Sequence, residues 1–435
     1  MVATAALVVK PVLDRIFRGN QLSVGFRFWD GSSLGPADAK ATIVLRSPIA
    51  LRRILYAPGE LGFGRAYVAG ELDLEGDIFT AFDLRSLIGG ERDHVEVRLD
   101  VRGVAELAKA AKQLGALGPP PKPPLEEARL KGRLHSKERD AAAVAHHYDV
   151  GNDFYRRVLG PTMAYSCAYW AREEFSLDEA QEAKFDLICR KLDLQPGQRL
   201  LDVGCGWGGL GIHAAKYYGV RVVGITVAKE QAQLAQERVA DVGLGGQVAI
   251  RLQDYRDVAD GPFDAISSIG MFEHVGREQL QVYFAGLRDL LVPGGRFLNH
   301  AISSPDTKGG RVSPRSFIGR YVFPDGELME VGQVVTAMQD LHLEVRDVES
   351  LREHYARTLR AWVANLEANW DDLVGRIGIQ RSRVWRLYMA ASAINFEANR
   401  VAIHQVLGVK TADDGRSGMP ATRWSFVADR VTRSA

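Results

Sequence analysis

Leu200-Leu201-Asp202-Val203-Gly204-Cys205-Gly206-Trp207-Gly208-Gly209 decides how the rest of the chain is read. An apolar run from Arg199 to Val203 breaks into alternating glycines, and an alanine-rich helical pattern follows from Leu210 to Tyr217. Strand, glycine turn and helix in that order make the opening βα unit of a doubly wound sheet. Its glycines let the backbone come close to a ligand lying over the helix N-terminus. The spacing is G-x-G-x-G rather than G-x-G-x-x-G, so a dinucleotide pyrophosphate is not the expected ligand. A tight βα turn that holds nothing is the plain alternative.

Downstream, Arg221 to Thr226 is a second β-rich run. Nucleoside-binding sheets commonly end this strand in an acid that holds ribose hydroxyls. Here it ends in Thr226, with Gln231 one helical turn on, so neutral polar groups must supply part of that contact. Val248 to Leu252 leads into Gln253-Asp254-Tyr255-Arg256, Phe263 to Ser268 into Gly270-Met271-Phe272-Glu273-His274, and Arg296 to Leu298 into Asn299-His300. Five β-runs thus deliver polar residues at their C-terminal ends, where open α/β sheets bind ligands.

Upstream, Ser176 and Glu179 form a capping box for a helix running to Leu192, with Phe185, Ile188, Cys189 and Leu192 on one face. Cys189 is therefore a core residue. The aromatics of His146–Asp149, Asn152–Tyr155 and Met163–Trp170 follow no clear period, which suits a loop that covers something as well as it suits core packing.

Residues 1–112 mix strand-like alternation (Leu22–Phe28, Ala41–Leu45) with helical stretches (Ile49–Tyr56, Val104–Leu114), as a small α+β accessory domain. Within it, Glu60–Tyr67 is punctuated by glycine and suits a turn entering a short helix. The run GALGPPPKPP from Gly115 to Pro124 marks residues 113–140 as a proline-rich linker. Lys109, Lys112, Lys122, Arg129, Lys131, Arg133, Lys137 and Arg139 lie around it, giving a basic, mobile hinge. A solvated linker and a surface for anionic head groups are both open readings. Residues 141–435 form the catalytic domain. Its last part opens with a loop over Ser303–Ser316 and a turn over Phe323–Glu327. Helices follow over His354–Trp370 and Arg381–Leu407 that wall a deep apolar pocket. Tyr355, Leu359, Trp362 and Leu366 recur there at core spacing.

At 435 residues two or more folding units are expected. A net charge of +1 excludes a globally basic nucleic-acid binder. Three cysteines without a C-x-x-C pair argue against a disulfide framework or zinc site and for a reducing cytosol. The N-terminus lacks a convincing signal-peptide cleavage site, and no apolar run approaches the ~20 residues that span a bilayer. Lipid contact, if made, is made from the membrane surface.

Five stretches taken together resemble the cyclopropane-fatty-acid synthase family of S-adenosylmethionine-dependent methyltransferases. They are Tyr165–Trp170, Leu201–Gly209, Gln253–Asp257, Gly270–Gly276 and Tyr355–Trp362, within a likeness running from about residue 40 to 410. Pro58–Gly70 also resembles the lipid-engaging domain of members that act on intact phospholipids, and Pro58–Asp77 that of actinobacterial members making 10-methylene chains, precursors of tuberculostearic acid. The resemblance implies a class I, Rossmann-like methyltransferase sheet with helical substrate-pocket insertions. It puts the methyl donor against Tyr165, Ser166, Asp202, Gly204, Cys205, Gly206, Thr226, Gln231, Tyr255 and Arg256. It further implies a bicarbonate ion, acting as general base, held by Cys167, Glu273, His300 and Tyr355. Singly, each of those four has a duller reading as packing, cap or satisfied core residue; their coincidence is what points to catalysis. Some relatives carry a late-helix cysteine where this chain has Ser392, so a covalent cysteine there is excluded.

The chemistry so implied is methylation of the cis double bond of an unsaturated, oleoyl-type phospholipid acyl chain. Loss of a methyl proton then gives a cyclopropane by ring closure, or a 10-methylene product after a hydride shift. The methylene outcome is the leading reading, and cyclopropanation its alternative. A non-catalytic lipid-binding protein and a methyltransferase for a soluble molecule are further alternatives. The implied partners are membrane phospholipid met peripherally at the inner face of the cell membrane, a reductase that saturates a methylene product, and a second copy of the chain. Neither metal nor nucleic acid is expected.

Overall fold

A computed structural model describes residues 3–17, 19–84, 101–128, 139, 150–307, 309–313 and 315–423. The chain forms two compact units. One comprises Met1–Arg129, Ser313–Val322 and Leu366–Ala398; the other comprises Leu130–Val312, Phe323–Asn365 and Asn399–Ala435.

The first unit holds a four-stranded sheet ordered β2-β1-β3-β4: β1 (Gly25–Arg27), β2 (Ser33–Leu34), β3 (Ala41–Leu45) and β4 (Leu72–Gly76). Glu60–Val68 is helical throughout, so the glycine-punctuated stretch is not a turn. Its glycines serve packing instead. A Cβ on Gly64 would stand 2.3 Å from the Phe317 ring, which itself stacks on Tyr321 at 4.7 Å. Alanine normally favours a helix over glycine by roughly 0.5–1 kcal/mol. Overpacking at this contact costs ~1–3 kcal/mol and decides the sign. Gly64→Ala is therefore expected to lower the thermal midpoint, and Phe317→Ala to remove much of that penalty in the double variant.

Two sequence expectations are corrected here. Residues 313–322 and 366–398 belong to the first unit, so a continuous catalytic domain over 141–435 does not hold. Long-range contacts such as Gly64 with Phe317 and Arg386 with Tyr67 cause this, and local patterns do not carry them. Nor is the proline-rich segment a free hinge over its described part. Arg52 donates to the carbonyls of Gly115, Ala116 and Leu117, Arg53 to that of Lys122, and Glu127 is buried against Arg65 at 2.6 Å. Proline lacks the amide donor, but its neighbours' carbonyls remain, and the two arginines take them up. Arg129, Lys131, Arg133, Lys137 and His146–Asp149 lie outside the described residues.

The second unit is built on a nine-stranded sheet. Its parallel core runs β7 (Val248–Leu252), β6 (Arg221–Thr226), β5 (Arg199–Val203), β8 (Phe263–Ile269), β9 (Leu291–Ser304). Next to β9 comes β13 (Ala402–Lys410), antiparallel to it, and then β12 (Leu343–Ser350), antiparallel to β13. Two short strands, β10 (Gly310–Arg311) and β11 (Glu327–Glu330), extend the other end of β9. In β5, four of five residues are buried, as expected for a parallel strand covered on both faces. Apolar clusters fill both faces. One packs around Leu200, Ile188 and Ala214, the other around Leu201, Phe284 and Met338.

The expected helix over Arg381–Leu407 ends at Glu397, and Ala402 onward is a strand. Asn399 adopts a left-handed φ of 52° that ends the helix, and Ala402–Lys410 then supplies the reversed strand β13. The expected loop from Ser303 likewise starts inside β9 and contains β10.

Candidate active site

The order of the sheet reverses between β5 and β8, and a cleft opens at their C-terminal ends, where such sheets take ligands. All ten residues expected to hold the methyl donor line it: Tyr165, Ser166, Asp202, Gly204, Cys205, Gly206, Thr226, Gln231, Tyr255 and Arg256. At the turn, the amides of Gly204 and Cys205 both donate to the Ile225 carbonyl at 2.9 Å, and Gly204 has a φ of +76°. Only glycine adopts that angle without strain, and a Cβ there would come within 3.1 Å of Met271.

Thr226 donates to Gln231 Oε1 at 2.9 Å, a neutral pair at the end of β6 where an acid is more usual. Arg256 is held fork-to-fork by Asp254 at 2.7–2.8 Å, so its charge is already matched. Asp202 is buried and accepts from Ser267 at 2.8 Å; burial lifts its carboxyl to about 6. Tyr165 lies between Tyr155 and Trp362, with ring centroids 5.5 and 5.2 Å away. The aromatic segment therefore does bound a cavity, while Cys189 is buried in the core and the Ser176–Glu179 capping box is formed.

Three cleft residues were not among those expected to hold the donor. Trp207 donates to Asn152 at 2.7 Å, and its ring lies tilted against Tyr155 with centroids 4.8 Å apart. Met163 has a φ of 53°, which nothing in its neighbours' identity signals. Lys184 reaches the cleft from the helix Leu177–Leu192 and donates to Ser166 at 2.7 Å. A lysine on the apolar face of a capped helix was the available signal. No residue of 352–407 lines this cleft among the described residues, so it is not the expected apolar pocket.

Cys167, Glu273, His300 and Tyr355 lie off the cleft lining but are linked through a short set of bonds. The Leu351 carbonyl accepts from the Cys167 thiol (3.6 Å) and from the Tyr355 amide (3.0 Å). The Leu351 amide donates to Ile403, which pairs with Ile302 across the sheet. The Ile302 amide in turn donates to Glu273 Oε1 at 2.7 Å. His300 is two residues before Ile302, so on the same face of β9, and pairs with Ile269, the last residue of β8. β9 continues to Ser304, so His300 sits inside its strand, at the edge where the parallel neighbour stops. Gly270, Met271, His274 and Val275, which flank Glu273, do line the cleft.

The electrostatics of this group are unusual. Glu273 Oε2 and His300 Nε2 are both buried with no hydrogen-bond partner among the described residues. Gln405 Nε2 lies 3.3 Å from His300 Nδ1; assigning that contact as amide to ring nitrogen leaves a proton on Nε2. Burial holds His300 well below the usual imidazole range, hence neutral, and pushes the Cys167 thiol far up, hence protonated. Burial also raises Glu273 to about 7, with the Ile302 amide offsetting part of the rise. Since the folded value exceeds the ordinary 4.5, the stability linked to this group is complete below 4.5 and is lost as pH rises through about 7. Glu273→Gln cannot ionise. Its stability relative to the natural chain should therefore be greater at about pH 8.5 than at about pH 5, by on the order of 3 kcal/mol, checked by denaturant melts.

A doubly wound sheet with β13 reversed beside β9 and a glycine-turn cleft at the switch point defines the class I fold of S-adenosylmethionine-dependent methyltransferases, and this chain is such an enzyme. Residues 135–406 match the mycolic acid cyclopropane synthetase family, and the chain belongs to that family. It is 43% identical over 432 residues to a probable fatty acid methyltransferase, Rv3720, of Mycobacterium tuberculosis, covering 97% of this chain and 99% of that protein. It is 36% identical over 379 residues to the cyclopropane-fatty-acyl-phospholipid synthase of Escherichia coli, covering 87% and 90%. Among solved structures, mycolic acid cyclopropane synthase CmaA1 complexed with SAH and CTAB is similar with a TM-score of 0.57 and 35% identity. That likeness covers 62% of this chain and 97% of that one.

Proposed function

We propose that this enzyme methylates the cis double bond of an unsaturated, oleoyl-type phospholipid acyl chain, and that the product carries a 10-methylene group. The carrying observation is that two buried atoms, Glu273 Oε2 and His300 Nε2, have no partner among the described residues, in segments that meet a glycine-turn cleft at Gly270. Methylating an alkene leaves a cation that must lose a proton, so a site for it needs a sheltered proton acceptor. S-adenosylmethionine supplies the methyl group, and bicarbonate supplies the proton acceptor when bound. Glu273 and His300 would hold that ion: His300 Nε2–H would donate to it, and ionised Glu273 would accept from its hydroxyl. Cys167 and Tyr355, joined at Leu351, complete the set.

The chain's own residues do the rest. The Gly204 turn and the Thr226–Gln231 pair hold the donor. The ring of Tyr165, backed by Trp362, offers a face that stabilises a passing cation without attacking it. Exclusion of water keeps that cation from becoming an alcohol.

The phospholipid substrate is supported by relatives named as a fatty acid methyltransferase and a phospholipid synthase, which match nearly the full chain, first unit included. No helix among the described residues is long and apolar enough to cross a membrane. Exposed Tyr56, Leu117 and Leu125 beside Lys122 suit peripheral contact with an anionic bilayer. A reductase that saturates a methylene product is the partner this product requires, and pairing of two copies is a further part of the proposal. Cyclopropanation is the second reading, favoured by the likeness to the Escherichia coli enzyme. Incubation with dioleoyl phospholipid vesicles and donor, followed by proton NMR of the released acyl chains, tests both. Vinylidene signals support the methylene product, ring signals support cyclopropane, and unmodified oleate overturns both.

A further inference from the structure

Two lysines of the helix Leu177–Leu192 are buried, and their surroundings differ. Lys191 is met by Asp347 at 2.8 Å and Glu349 at 2.5 Å. Lys184, 1% exposed, has no carboxylate within 4 Å among the described residues, and its single hydrogen-bond partner there is the neutral Ser166 hydroxyl at 2.7 Å. An ammonium has three donors and is costly to bury without a counter-charge. Burial pulls this amine down to about 7, although Cys167, Asp202 and the Phe185 ring, 4.4 Å from the nitrogen, offset part of the cost.

The position is a built one. Gln181, one turn earlier on the same helix face, donates to the carbonyls of Ala164 (3.2 Å) and Ser166 (2.9 Å). Gln181 thereby pins the backbone of the loop that carries Tyr165 and Ser166 to the rim of the cleft, and Lys184 meets only the Ser166 hydroxyl. Lys184 is also one of the cleft's own lining residues, together with Gly204, Thr226 and Gln231. Glu273, His300, Cys167 and Tyr355 are not. An anion that completes the surroundings of Lys184 therefore arrives with whatever occupies the glycine-turn cleft.

The geometry points to Lys184 as the binding residue for the α-carboxylate of the methyl donor, with Ser166 held beside it as a second donor. This inference rests on the reading of the cleft as the donor site. In the empty protein the lysine carries a burial penalty, and the ligand's carboxylate relieves it. Part of the donor's affinity thus comes from cancelling a strain already built into the fold. A lysine that only tethers Ser166 predicts something different, because its removal would loosen the loop for any occupant alike.

The experiment is calorimetric titration of the natural chain and of Lys184→Met with S-adenosylhomocysteine and with its decarboxylated analogue, each with and without bicarbonate. The natural chain should bind S-adenosylhomocysteine roughly 10- to 100-fold more tightly than the analogue. Lys184→Met should lose that preference, binding S-adenosylhomocysteine roughly 10- to 100-fold more weakly and the analogue within about twofold. Because an unpaired buried charge is removed, the unliganded variant should melt no lower than the natural chain.

Equal losses for both ligands, or a natural chain indifferent to the carboxylate, would overturn the inference while leaving the donor site intact. The arm with the natural chain keeps the inference falsifiable if the variant does not fold. A loss that shows only in the presence of bicarbonate would also overturn it, assigning Lys184 to that ion instead. A natural chain that binds neither ligand would overturn the reading of the cleft itself.

Discussion

Glu273→Gln is expected to lower turnover by roughly 10²- to 10⁴-fold while leaving affinity for S-adenosylhomocysteine unchanged. The split follows from where the side chain lies. Its Oε1 is fixed by the Ile302 amide at 2.7 Å, its Oε2 is buried without a partner, and neither belongs to the cleft lining. Glutamine keeps the contact to Ile302 but offers an amide where a proton must be accepted. For the natural chain, turnover should fall as pH drops through about 7, where Glu273 protonates. That limb should be missing from the residual activity of the variant. Single-turnover measurements across pH, beside equilibrium titrations of S-adenosylhomocysteine, separate the two effects.

Gly204→Val is expected to weaken donor binding by on the order of 100-fold, the loss that an ångström-scale displacement produces in a positioned site. A φ of +76° is an outlier for a β-branched residue, and the added carbon starts 3.1 Å from Met271. The turn must therefore move, and with it the two amides now bonded to Ile225. Gly243 has a similar φ of +71° but no atom within 4 Å of an added carbon, so Gly243→Ala serves as the control. It should cost fold stability without changing donor affinity.

The glycine-turn cleft was legible in the sequence because local chemistry encodes it. Gly204 with Gly206, Thr226 with Gln231, and Asp254–Arg256 each stand within a few residues of a strand end, and all line the cleft. Lys184 was not legible. It sits mid-helix among apolar residues, and its significance comes from a loop eighteen residues earlier in the chain. β13 was misread as helix because Ala402–Lys410 follows a long helical run directly, and its extended form is imposed by β9 and β12 on either side. The traffic of 313–322 and 366–398 into the first unit was invisible for the same reason. Phe317 against Gly64, and Arg386 with Tyr67, are contacts between segments hundreds of residues apart. The linker misled through composition, since GALGPPPKPP reads as an extended connector between domains whatever Arg52 and Arg53 do to its carbonyls.

The central claim is that a methyl group is added to an alkene carbon and that one of its own hydrogens is then removed at the Glu273–His300 site. Dioleoyl phospholipid vesicles, incubated with S-adenosylmethionine carrying a fully deuterated methyl group, test it by mass spectrometry of the acyl chains. The account predicts a chain gaining one carbon that retains two of the three deuteriums. A product keeping all three, or label found only outside the acyl chain, would contradict it.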